Sequence, residues 1–412
     1  MQQPDDAGGP GRDRLVILGA SGRAAAVSAA AAGLEVHAAD LFGDLDLLAV
    51  ATSFRAACPY PAGLAAAAAA CPPAPWLYTG GIENHPDLIA VIAADRPLAG
   101  CDAAAVRRVR APDLLAAALR GIGLAMPATR RSPRGLPGDG SWLVKPLRSA
   151  GGHGIRPWLG PDPAAATAER VWQQRVAGRS WSVAYLLAGD GGRLLGVSRQ
   201  LTGRRWCRAA AFAYCGSLDL ATASLEADLL DPLRRLGDLL AGPLGLRGLV
   251  GVDLVIDAGR RPHIIEVNPR PTASMELIER AGGLPLIAAH LAACGLGRPP
   301  RARPRKLQGS WAKAVLFADR PLAIGAEAVA ALRAAVGGSR HGWPLLADIP
   351  TPPQQIPAGR PVCTLFALGG SPRESLQQLR RRVLTAARVL GPVAQPASRR
   401  SAGSDSARYC IR

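Results

Sequence analysis

Gly248-Leu-Val-Gly251-Val-Asp253-Leu-Val-Ile256-Asp257-Ala-Gly-Arg-Arg-Pro262-His-Ile-Ile-Glu266-Val-Asn268-Pro-Arg270-Pro-Thr272-Ala-Ser-Met-Glu276 is the stretch on which the reading of this chain turns. Val250–Ile256 and Pro262–Val267 are short β-rich runs separated by turn chemistry, which predicts a hairpin. Alternation puts Glu266 and Asn268, two apart, on one face, and Asp253 is an aspartate inside a strand, where solvated acids are unusual. Three oxygen-bearing side chains therefore converge. A hard divalent cation wants carboxylate and carbonyl oxygens and takes its remaining ligands from water and phosphate. The alternative is a hairpin whose Glu266 and Asn268 only hydrogen-bond a turn. Composition weighs against it, because the chain has just two asparagines, Asn84 and Asn268.

Working outward, Trp142-Leu-Val-Lys145-Pro146 reads as a strand that delivers a lysine to the glycine-rich run Ser149-Ala-Gly151-Gly152-His-Gly154. Backbone amides without a Cβ can approach phosphate oxygens closely, and a lysine adds a mobile point charge. Only three lysines occur, Lys145, Lys306 and Lys313, so arginine holds 46 of the 49 basic positions and a lysine here is informative. Val171-Trp-Gln173-Gln174-Arg175-Val176 and the residues after Gly178 read as a strand, a break and a second strand. Further upstream, Leu15–Leu18, the turn Gly19-Ala-Ser21-Gly22-Arg23, a helix over 24–32 and a strand ending at Asp40 form a βαβ opening. Trp76–Thr79 and Gly80-Gly-Ile-Glu83-Asn84 follow. Ser21, Arg23, Asp40, Glu83 and Asn84 fall on loops at strand ends, where open α/β sheets bind ligands, and with Thr272 they are the candidate substrate residues.

Lys-Pro with a glycine loop, a hinge strand, and Asp253 thirteen residues before Glu266-x-Asn268-Pro-Arg270 resemble the ATP-grasp superfamily over about residues 15–300. The resemblance implies two α+β subdomains that clamp ATP. It implies that Lys145 binds phosphate and that Ser149, Gly151, Gly152 and Gly154 cover the triphosphate. Gln173, Gln174 and Val176 match the hinge that reads the adenine edge. Asp253, Glu266 and Asn268 match ligands of Mg²⁺ or Mn²⁺, Arg270 the arginine that steadies an acyl phosphate, and Arg110 the place of a second nucleotide-binding cation. Gln174 and Ser180 stand where the family commonly has acidic residues. The Gly19-Ala-Ser-x-Arg23, Asp40-Leu-Phe-Gly-Asp44 and Gly81-x-Glu-Asn84 motifs are similar to a bacterial and archaeal ligase group. Some of its relatives join glutamate to tyramine or tyramine-like amines in methanofuran-type cofactor synthesis, and others accompany tetrahydromethanopterin-linked one-carbon pathways.

The expected architecture is therefore α/β and α+β. Residues 14–105 form a Rossmann-like domain, 106–300 a two-subdomain ATP-grasp domain and 301–395 a small α+β appendage, with loose tails at 1–13 and 396–412. A Pro- and Arg-rich linker spans Pro299–Arg305. The +18 charge is spread along the chain and not gathered in a stripe, which favours anionic small molecules over nucleic acid. The eight cysteines show no metal or redox spacing, and reduced thiols in a cytoplasm are expected. No signal peptide or bilayer-length apolar run is visible. The expected activity is ATP-dependent joining of a small carboxylate to an amine, and the resemblance leaves room for a homodimer. Two alternatives stand beside it: a biotin- or bicarbonate-type carboxylase subunit, although neither Lys306 nor Lys313 follows a Met, and a nucleotide sensor without turnover.

Overall fold

The computed structural model describes residues 14–161, 169–189, 191–220, 225–298 and 309–391. Both expected tails and the Pro299–Arg305 linker lie outside the described residues. Strands β1 (Arg14–Leu18), β2 (Glu35–Asp40), β3 (Ser53–Ala56) and β4 (Trp76–Tyr78) form a parallel sheet in the order β3-β2-β1-β4. Leu15, Val16, Ile17 and Leu18 are all fully buried, as a continuous apolar run must be when both faces of a parallel sheet are covered. The crossover helix Arg23–Ala31 gives way at Gly33, whose φ of +82° suits only a residue without Cβ.

Strands β5 (Thr129–Arg130), β6 (Trp142–Pro146), β7 (Arg156–Pro157) and β8 (Arg170–Gln174) make a second, small sheet in the order β5-β8-β6-β7. Its core is Val144 with Trp158 and Trp172, the two rings meeting edge to face at 5.8 Å. The third sheet is antiparallel. It contains β9 (Arg179–Ala188), β10 (Gly191–Thr202), β11 (Tyr214–Leu220), β12 (Gly248–Ile256), β13 (Pro262–Asn268) and β14 (Ser310–Phe317), and is completed by the strands Pro361–Gly369 and Leu346–Ala347. Its order is β13-β12-β9-β10-β11-β14 followed by those two strands. Helix Ala227–Ala241 buries Leu229, Leu233, Leu236 and Leu240 on one stripe against β9 and β10. Each such side chain contributes about 1.5–3 kcal/mol by leaving water.

The carboxyl-terminal part differs from an appendage merely packed on its neighbour. β14 pairs with β11 through Gly216↔Ala314, so these strands extend the central sheet. One core mixes Leu201 and Leu218 with Ala312, Leu365 and Leu379. Pairing between strands so far apart along the chain leaves no mark in local pattern. The last helix, Pro372–Val389, begins at Ser371, whose Oγ accepts from Glu374 N–H while the Glu374 carboxylate accepts from Gly370 N–H. Cys71, Cys101, Cys207, Cys215, Cys294 and Cys363 are free thiols, but Cys58 is disulfide-bonded, which departs from the expectation of thiols throughout. Spacing could not reveal it, because folding decides which sulfurs meet. Among the described residues no helix is long and apolar enough to cross a membrane.

Candidate active site

The hairpin β12–β13 pairs Asp253 with Glu266 and Gly251 with Asn268, so the three side chains share a face as alternation predicts. A bulge between Asp253 and Leu254 adds a local twist beside them. Asn268 donates from Nδ2 to Asp253 Oδ2 at 3.2 Å, and Gln200 on β10 donates from Nε2 to Asp253 Oδ1 at 2.7 Å. Burial and then the facing Glu266 carboxylate push Asp253 up to about 6. Two adjacent carboxylates, Asp253 and Glu266, face Lys145 and Arg270 across the cleft, and with the Asn268 oxygen they match the donor chemistry of a hard divalent cation.

Across from this hairpin, β6 delivers Lys145, whose Nζ donates to Gln173 Oε1 at 3.0 Å. Burial lowers its pKa, opposed by the attraction of Glu266 and Asp253. The cleft between the small and large sheets has a volume of about 650 Å³, and Lys145, Gly151, Gly152, Gln173, Gln174, Val176, Asp253, Glu266, Asn268, Arg270 and Thr272 are among its walls. The glycine loop closes over it and is seated on the segment before β11. Tyr214 N–H donates to Gly151 O at 2.9 Å, and a Cβ on Gly152, at φ +78°, would lie 2.0 Å from Phe212 O. Only glycine permits that approach.

Arg270 reaches from the end of the hairpin to the loop after β4. Its Nε donates to Glu83 Oε1 at 2.8 Å, Nη2 to Asn268 Oδ1 at 3.1 Å and Nη1 to Pro271 O at 3.1 Å. Glu83 is only 2% exposed; burial alone would raise its pKa, but Arg270 outweighs that and lowers it. Gly80 brings its backbone to the guanidinium, since a Cβ there would sit 3.4 Å from Arg270 Cζ. Tyr78 holds the same junction by donating to Pro269 O at 3.0 Å.

Several sequence candidates take other places. Gln173 keeps its backbone in the sheet, paired with Leu143 and Thr129, and offers its side chain to Lys145 instead. Beyond it, the N–H groups of Gln174 and Arg175 donate to Ala128 O and Ser141 O, and among the described residues the N–H of Val176 has no partner. Arg110 does not line the cleft. It donates from Nη2 to Asn84 Oδ1 at 2.6 Å and to Leu147 O at 2.7 Å, tying the loop's base to the N-terminal sheet. Ser149 donates back to His153 O at 2.5 Å, so it and Gly154 shape the loop from outside the cleft in this conformation. Arg23, 2% exposed, is ion-paired with Glu276 and Asp348, and Asp40 is fully buried, accepting from the N–H groups of Gly22, Phe42 and Gly43. Ser21 is exposed at the same turn. Gln200, Ser182, Tyr214 and Ser274 line the cleft without having been singled out. Their signal was faint: Ser182, Gln200 and Tyr214 are single polar residues in strands and Ser274 precedes a helix, with no motif around them.

Residues 114–274 match the family model described as the ATP-grasp domain. No curated protein sequence matches the chain. Among solved structures, N5-carboxyaminoimidazole ribonucleotide synthetase from Thermus thermophilus is similar with a TM-score of 0.64 at 16% identity, covering 93% of this chain and 100% of that one. Carboxyaminoimidazole ribonucleotide synthase from Aspergillus clavatus, complexed with ATP, gives 0.67 at 12% identity, over 92% and 100%. Biotin carboxylase from Campylobacter jejuni gives 0.65 at 12% identity, over 90% and 94%. The fold is that of the ATP-grasp superfamily, with an ATP-grasp domain at its centre. Likeness at such identities speaks for the fold and leaves the choice of substrate to the residues of the cleft.

Proposed function

We propose that this chain is an ATP- and Mg²⁺-dependent ligase that joins a carboxylate to an amine through an acyl phosphate. The observation that carries the reading is the convergence of Asp253, Glu266 and Asn268 with Lys145 and Arg270 on one cleft beneath a glycine loop. Mg²⁺ held by Asp253, Glu266 and Asn268 would supply charge neutralisation at the phosphate oxygens. Lys145 would hold the transferring phosphoryl group, and Gln174–Val176 would offer backbone to the adenine. A carboxylate oxygen of the acid attacks the γ-phosphorus and ADP leaves. The amine nitrogen then attacks the acyl carbon, the carbon–oxygen bond to phosphate breaks, and the nitrogen loses a proton. Arg270, anchored by Glu83, would stand over the charge that develops on the acyl phosphate. No side-chain nucleophile is needed.

The short-motif resemblance directs the first trial to glutamate as acid and tyramine as amine. The solved relatives named for carboxylation favour a second reading, phosphorylation of bicarbonate. ADP formation by the purified chain, measured over a matrix of acids, amines and bicarbonate with Mg²⁺, decides between them. Turnover that requires both an acid and an amine is expected. Turnover driven by bicarbonate without another acid would replace the ligase by a carboxylase, and ATP binding with no turnover under any pairing would make the chain a sensor.

A further inference from the structure

The glycine loop is gripped from two sides. Its crest, Gly151 and Gly152, rests on Phe212 and Tyr214 of the segment before β11. Its rising arm is held by the short turn Ile82–Asn84, which follows β4 of the N-terminal sheet. Asn84 donates from Nδ2 to Ser149 O at 3.4 Å and accepts at Oδ1 from Arg110 Nη2 at 2.6 Å, while the same Nη2 donates to Leu147 O at 2.7 Å. Two side chains thus tie two carbonyls of the arm to one place on the N-terminal sheet. Both side chains precede residues 114–274, the part that matches the family model.

The acceptors on the arm are backbone carbonyls, so the grip depends on where the arm stands and not on which side chains it carries. An arm lifted away from the cleft would leave Asn84 and Arg110 without these partners. A contact made in only one of two conformations biases the equilibrium towards that conformation by its own free energy. The bonds from Arg110 are donated by a full charge, which makes them stronger than bonds between neutral groups. The turn has a second attachment as well. Glu83, beside Asn84, accepts from Arg270 at 2.8 Å, so one short turn sets both the arm of the glycine loop and the arginine at the other end of the cleft.

We infer that Asn84 and Arg110 are positioning residues that latch the glycine loop shut, so that the N-terminal sheet sets how long a nucleotide stays in the cleft. This rests on the reading of the glycine loop as the cover of the triphosphate. Neither residue has to touch the nucleotide. A ligand that binds beneath the closed loop is held more tightly in proportion to the fraction of the chain already closed, and the latch raises that fraction.

Calorimetry with MgADP, and stopped-flow dissociation of methylanthraniloyl-ADP with Mg²⁺, test this on the full chain. Asn84→Ala is expected to weaken MgADP binding about tenfold, the usual scale of a lost charged hydrogen bond, with the loss in the off-rate, since an open loop does not obstruct entry. Arg110→Met should weaken it by a similar factor. The double variant should lose no more than the worse single variant, because both side chains act through one contact. Arg110→Lys keeps a charged donor and should recover part of the affinity. Without nucleotide, trypsin should cut after Arg148, exposed between the two held carbonyls, faster in Asn84→Ala than in wild type, with the melting temperature kept. Additive losses, or an Asn84→Ala that binds MgADP as tightly as wild type or more so, would overturn the latch and make Arg110 a direct phosphate ligand. An unchanged off-rate and cutting rate with a lowered melting temperature would overturn it too, leaving a contact that only supports the fold. Binding is read without turnover, so failure of the ligase reading appears separately, as absent ADP formation.

Discussion

The cleft and the cluster around Arg23 treat their charges oppositely. In the cluster, burial would raise the pKa of Glu276, but Arg23, Lys313 and Arg280 outweigh it and hold the carboxyl well below its usual range. In the cleft, burial and Glu266 raise Asp253 to about 6, and its direct partners are the uncharged Ser182 hydroxyl and the amides of Gln200 and Asn268. A charge already matched by the chain stabilises the fold, whereas one left unmatched reserves its interaction for a ligand. By that standard Glu83 and Arg270 are intermediate: they neutralise each other, yet Arg270 still borders the cleft.

The largest expected effect lies on the matched side. Glu276→Gln leaves Arg280 and Lys313 without a carboxylate partner among the described residues and removes one of those of Arg23, and a loss of ~3–5 kcal/mol in unfolding free energy is expected, as when one partner of a buried pair is removed. Chemical denaturation would measure it. Unchanged stability would mean that the cluster does not join the three parts of the chain. On the unmatched side, Glu266→Gln and Lys145→Met should each lower Mg²⁺-dependent ADP formation by ~10²–10³, the scale of a lost charge-stabilising group, with the melting temperature kept or raised. Excess Mg²⁺ should recover part of the Glu266→Gln loss and none of the Lys145→Met loss. If either variant were instead unfolded, the contrast between the two regions would collapse.

A smaller effect sharpens the contrast through pH. Glu279 is 6% exposed, and burial raises its carboxyl to about 7. Unfolded glutamate titrates near ~4.3, so between that value and about 7 the folded protein holds the extra proton, and stability falls as pH rises through the window. Glu279→Gln should therefore raise the melting temperature by a few degrees at pH 8 and leave it unchanged at pH 5. An equal shift at both pH values would contradict the burial argument. The smallest effect is expected at Asp257→Asn, in the turn of the β12–β13 hairpin. Asp257 bonds Arg261 and His263 on the turn and is absent from the cleft walls, so turnover should stay within twofold, a change of ~0.4 kcal/mol. Loss of activity there, with Glu266→Gln silent, would invert the face assignment of the hairpin.

Local pattern was enough for the elements on which the site depends. The expected strands around Asp253 and Glu266 became Gly248–Ile256 and Pro262–Asn268, and the helix expected over 24–32 became Arg23–Ala31. Period-two alternation placed Asp253, Glu266 and Asn268 on one face because pleat geometry follows from the backbone alone. The lysine strand and its glycine loop were legible for the same reason, since a positive φ and a close backbone approach select glycine wherever they occur. Tertiary structure alone decided which loop residues meet a ligand and which meet each other. Arg23, Asp40 and Glu83 sit on equivalent loops of one sheet, yet Arg23 turned to Glu276 and Asp348, Asp40 to its own backbone, and Glu83 to Arg270. Those partners are up to 325 residues away in sequence. A side chain's charge is local information, but whether it is already compensated depends on every element folded against it, and that sum exists only in three dimensions.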